Sequence, residues 1–220
     1  MTERLTPGVL RTPRSAGVAG VLFAVLFGTI VFLIHQVIPA NPHDAGAWLT
    51  QASSRREVDV ALAMVPFCGI FFLWFMGAVR SRIGEVEDRF FATVFLGSGL
   101  LFVAMMFVST ALMGALITLA ALHSGTPPTN VWQLGRAATF NLTTTFAMRM
   151  AAVFTVAAST IALRLRIHGR IIVWIGYASA VILLVAASTV PWIDLLFPLW
   201  VLLVSVDLLI QSYRVPRSAP

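Results

Sequence analysis

Six apolar stretches, each long enough to cross a lipid bilayer, constrain this chain more than any other feature. They cover residues 17–37, 58–79, 90–122, 137–163, 171–189 and 192–211. A helix needs about 20 apolar residues to cross a hydrocarbon core about 30 Å thick. Membrane-barrel strands are shorter and alternate in polarity, which these stretches do not. Helices satisfy their backbone groups internally. The sequence therefore predicts an all-α polytopic bundle of six transmembrane helices in one domain, residues 1–220. Composition agrees, with 59% of residues hydrophobic and 11% charged, where a soluble domain carries about 25% charge.

The net charge of +6 comes from arginine alone, for the chain has no lysine. Most of these arginines flank the apolar stretches, which is the pattern of a topology signal and not of a nucleic-acid-binding face. With the N-terminus in the cytoplasm, the cytoplasmic segments hold Arg4, Arg11, Arg14, Arg80, Arg82, Arg89, Arg164, Arg166, Arg170, Arg214 and Arg217. The opposite side holds Arg55, Arg56 and Arg136. The bias alternates loop by loop as six spans require, placing both termini in the cytoplasm. The first span exceeds the apolar core of a signal peptide, so it is expected to stay as an anchor. The single cysteine, Cys68, lies mid-span and has no partner for an intrachain disulfide.

The third stretch is overlong and must tilt or protrude at one end. Small residues recur every fourth position in three spans: Gly20, Ala24 and Gly28; Ala147, Ala151, Thr155 and Ser159; Gly176 and Ala180. Such seams let helix backbones approach closely, within the bundle or against another subunit. Pro66 and Pro198 fall inside the second and sixth spans, and each is expected to kink its helix. The Met105-Met106 pair and the phenylalanine-rich runs read as lipid-facing or core filler.

Arg149 is the sharpest single residue. It stands 13 residues after Arg136 and 15 before Arg164, which reads as near the bilayer centre. Charges there usually face the bundle interior with a partner. Asn141, Thr145 and Arg149 share a helical stripe at four-residue spacing. The expected partner is Asp207 of the sixth span, which counting from the outer loops places within roughly 5 Å of the same depth. The pair reads as a buried clamp, as a headgroup or ion site, or as an arginine reaching to the cytoplasmic interface.

At the outer face, His35, His43, Asp44, Asp59 and Asp194 form a second polar group. They come from scattered segments without metal-ligand spacing, so no metal is expected. The cytoplasmic run Arg80, Arg82, Glu85, Glu87, Asp88 and Arg89 alternates in sign, as a solvated connector or a docking loop would. No zinc-protease motif, Walker A loop or nucleophile elbow occurs, and no histidine sits mid-span to hold haem. No enzyme activity and no cofactor are expected.

Residues 65–75 (VPFCGIFFLWF), 87–99 (EDRFFATVFLGSG) and 146–154 (FAMRMAAVF) resemble a group of small, mostly uncharacterised multi-pass membrane proteins of actinobacteria. A looser similarity is to the small membrane proteins that accompany actinobacterial Mce-type lipid importers. These resemblances imply a bacterial plasma-membrane location and a non-enzymatic accessory or scaffold subunit of an envelope or lipid-handling assembly. Its expected partners are the bilayer and a membrane protein or a second copy. The alternative is a small transporter or lipid-binding protein built around Arg149 and Asp207. Pro66 and Pro198 do not occupy equivalent positions in a three-plus-three repeat, which counts against transport.

Overall fold

The computed structural model describes residues 12–38, 46–83, 89–123, 128–165, 169–187, 189–190 and 192–214. Helices run over α1 (Thr12–Val37), α2 (Ala52–Ile83), α3 (Arg89–Leu122), α4 (Thr129–Phe140), α5 (Met148–Leu165), α6 (Arg170–Ala186) and α7 (Leu196–Arg214). A π-helical segment, Asn141–Ala147, joins α4 to α5, so Thr129–Leu165 is one continuous rod. Short 3-10 turns, Ala47–Thr50 and Ile193–Leu195, precede α2 and α7. The result is an all-α bundle of six rods. Five are long and apolar enough to cross a membrane, and α6 is a shorter apolar helix of 17 residues.

Packing follows the distribution of small and aromatic residues. α1 lies along α2 and α7, and α5 lies between α3 and α6. The small-residue seams are spent inside the bundle. A side chain at Gly20 would meet Ser205 and Phe75, and one at Gly17 would meet Leu209 at 2.5 Å. Ala147, Ala151, Thr155, Ser159, Gly176 and Ala180 are all buried. Gly28 is the exception, with open space where its side chain would be.

The middle of the bundle is filled by phenylalanine. Phe72 is fully buried and packs against Phe23 (4.9 Å between centroids), Phe154 (5.1 Å), Phe102 (5.2 Å) and Phe197 (5.7 Å). Tilted and edge-on pairs of this kind each contribute about 0.5–1.5 kcal/mol beyond burial. A second core lies toward the end of the bundle remote from Arg14, Arg80 and Arg164. There Trp48, Val58, Leu116 and Trp132 gather from α2, α3, α4 and the first 3-10 turn. Gly46 makes the close approach possible. Its φ of 80° suits glycine, and a side chain there would lie 2.9 Å from the Trp132 ring. This second core takes up the surplus length of α3, whose far end protrudes beside α4.

Pro198 does not interrupt a helix. It is the third residue of α7, in the first turn, where an amide hydrogen has no intrahelical acceptor and its loss is harmless. Pro66 lies inside α2, which runs unbroken from Ala52 to Ile83.

Candidate functional site on the Arg149 stripe

The axial offsets between helices decide what the intramembrane polar residues can do. Phe154 of α5 and Phe197 of α7 have ring centroids 6.1 Å apart. Arg149 precedes Phe154 by five residues, and Asp207 follows Phe197 by ten. Both helices run in the same direction, so Arg149 and Asp207 differ in depth by about 22 Å at about 1.5 Å per residue. The expected ion pair is not formed. One Arg149 Nη donates to the Thr145 carbonyl at 3.0 Å, and Asp207 accepts from Gln211 Nε2 at 2.7 Å. Counting inward from Arg136 fails because the rod Thr129–Leu165 begins well beyond the ends of its neighbours α6 and α7.

The same offsets place Arg149 at the edge of the apolar layer and not at its centre. Five residues before Phe197 is Trp192, which is therefore level with Arg149. A second register agrees. The Thr160 and Tyr177 hydroxyls meet at 2.8 Å. Eleven residues back from Thr160 is Arg149, and eleven beyond Tyr177 lies just past the end of α6. Trp192 is 41% exposed and stacks on His35 at 4.5 Å, as amphipathic aromatics do at a membrane interface. At the other end, Arg14 lies over Tyr213 at 4.7 Å and Arg164 over Phe91 at 4.5 Å. Trp192 and Tyr213 are separated by about 31 Å of helix, close to the thickness of a hydrocarbon core.

The π segment shapes the stripe. In an α-helix a four-residue step overshoots a full turn by about 40°. A π turn holds more residues per turn, so the overshoot shrinks across Asn141–Ala147. Asn141, Thr145 and Arg149 thus stay in line. Asn141 is exposed, while Thr145 and Arg149 are half-buried. The Arg149 side chain runs back toward Thr145, the direction in which helical side chains lean. The expectation that it reaches for the cytoplasmic interface is reversed, for it points to the opposite edge. On its other flank the segment is tied to α3. Ser109 Oγ meets Thr143 Oγ1 at 2.6 Å and donates to the Thr139 carbonyl at 3.3 Å.

The other polar candidates come together only in part. Asp194 is buried with its Oδ1 unpaired among the described residues, and His35 stacks on Trp192 close by in the chain's turn. Asp59 is exposed near the start of α2. Among the described residues these three do not converge as a metal-binding group. His43 and Asp44 lie outside the described residues. Of the mixed-charge loop, Arg80 is described and exposed; the side chains of Arg82, Glu85, Glu87, Asp88 and Arg89 lie outside the description.

Two features escaped sequence reasoning. Ser159 Oγ and Trp200 Nε1 are buried without hydrogen-bond partners among the described residues, and both crowd the position a side chain would occupy at Gly176. They line a cavity of about 30 Å³. The second feature is a run of small residues on the outward face of α3, Gly97, Ala104, Ala111 and Thr118, at seven-residue spacing. Ala104, Ala111 and Thr118 are exposed, and a side chain at Gly97 or Gly114 would meet open space. The seven-residue pattern is legible in the sequence beside the four-residue seams. Comparison with protein families, curated proteins and solved structures gives no match for this chain.

Proposed function

We propose that this chain is a non-enzymatic accessory or scaffold subunit of a cell-envelope or lipid-handling assembly in the bacterial plasma membrane. The observation that carries this reading is the small-residue run on the outer face of α3. Helix interfaces in membranes are enriched in small residues, because attraction there depends on close backbone approach. Apart from Gly28, the bundle's other seams are occupied by its own helices; this one is open along Gly97, Ala104, Ala111 and Thr118. It suits a transmembrane helix of a partner subunit or of a second copy. The looser resemblance to membrane proteins that accompany lipid importers is what points the reading to a lipid-handling assembly.

The experiment is native purification in mild detergent with mass spectrometry of the co-purifying proteins. Ala104→Phe and Ala111→Phe fill the seam without entering the bundle. The expected result is a stoichiometric partner, or a dimer, that both variants lose while retaining the stability of the parent protein. A chain that purifies alone, or a partner that both variants keep, rejects the reading. A second reading, a small transporter or lipid-binding protein, now draws on the Arg149 stripe alone, because Asp207 lies at the other end of the apolar layer.

A further inference from the structure

We infer that the Arg149 stripe is a binding site for a phosphoryl anion, supplied by the headgroup of a membrane phospholipid. The inference does not depend on the partner reading. Arg149 has five N–H donors in a rigid fork, and its hydrogen bonding among the described residues is the single contact to Thr145 O. Thr145 is half-buried and Asn141 exposed on the same stripe, so both side chains are open to a ligand from the outer side. The π segment keeps the three side chains on one line, with Arg149 at its inner end.

Depth selects the ligand. Arg149 is level with Trp192 and with the end of α6, where the apolar layer gives way to headgroups. The anion present at that level in every phospholipid bilayer is the phosphodiester. α6 ends there, and the π segment beyond that level packs on α3, α4 and α5. Arginine pairs with phosphate oxygens through two parallel N–H bonds, which a half-buried position strengthens. Thr145 and Asn141 then supply neutral donors toward the outer side of the same group.

The test uses the full chain purified in mild detergent, with native mass spectrometry after addition of phosphatidylglycerol, and a parallel arm with inorganic phosphate read by thermal shift. The parent protein should retain phosphatidylglycerol, and Arg149→Gln should reduce retention about tenfold or more. Arg149→Lys, which keeps the charge and loses the fork, should fall between them. Thr145→Val should weaken retention severalfold, and it carries the test together with Arg149→Lys should Arg149→Gln not accumulate. Asp207→Asn, at the far end of the layer, should retain lipid like the parent. Equal retention by the parent and the Arg149 and Thr145 variants overturns the site. Stabilisation by inorganic phosphate without lipid retention overturns the lipid source and assigns the same chemistry to a soluble anion.

Discussion

Replacing Phe72 by alanine tests whether the phenylalanine cluster holds the bundle together. Phe72 is fully buried, with five neighbouring rings between 4.9 and 6.4 Å. In a membrane the unfolded helices remain in lipid, so transfer from water drops out and packing remains. A cavity of roughly 100 Å³ at about 24 cal/mol per Å³ gives ~2.4 kcal/mol. Lost edge-on ring contacts raise the total to about 2–4 kcal/mol. The control is Phe67→Ala on the same helix. Phe67 is 60% exposed and faces lipid, so its loss leaves no cavity and should cost about 0.5 kcal/mol or less. Reversible unfolding in mixed micelles, followed by circular dichroism, reads both. Equal losses at the two positions, or a loss below about 0.5 kcal/mol at Phe72, would refute the packing argument.

Two further outcomes follow from the helix offsets and close contacts. Gly176→Ala drives a methyl group onto Ser159 Oγ and to 2.6 Å from Trp200 Nε1. It should destabilise the bundle by about 1–3 kcal/mol, and Ser159→Ala in the same chain should restore part of that; full additivity in the same unfolding assay would contradict the crowding. A double-mutant cycle on Arg149→Gln and Asp207→Asn should give a coupling within about 0.5 kcal/mol of zero. A larger coupling would restore the direct pair and displace Arg149 from the membrane edge.

The legibility of the candidate site was uneven, and the reason is geometric. The stripe of Asn141, Thr145 and Arg149 is a property of one helix, so spacing in the sequence finds it. Its depth is a relation between helices. Counting from Arg136 assumed that all rods begin at the same level, but Thr129–Leu165 starts beyond its neighbours. The same limit applied to Asp194 and His35. The sequence placed both at one edge, while the stacking of Trp192 on His35, from a turn with φ 68°, is a contact between segments far apart in the chain.

The set of rods can be read along the chain, because hydropathy along a segment decides whether lipid or water is its better solvent. The seams of α1, α5 and α6 were legible for a similar reason: a small residue permits close approach whatever lies opposite. Tertiary structure alone decided which phenylalanines face each other, which helix keeps an open face, and how far each rod slides along its neighbours. Those choices rest on the interdigitation of side chains from different helices, such as Phe154 against Phe197 and Thr160 against Tyr177. A pattern read along one dimension carries no ruler between helices. For that reason Arg149 moved from the expected centre of the membrane to its edge, and from a clamp on Asp207 to a site facing the headgroups.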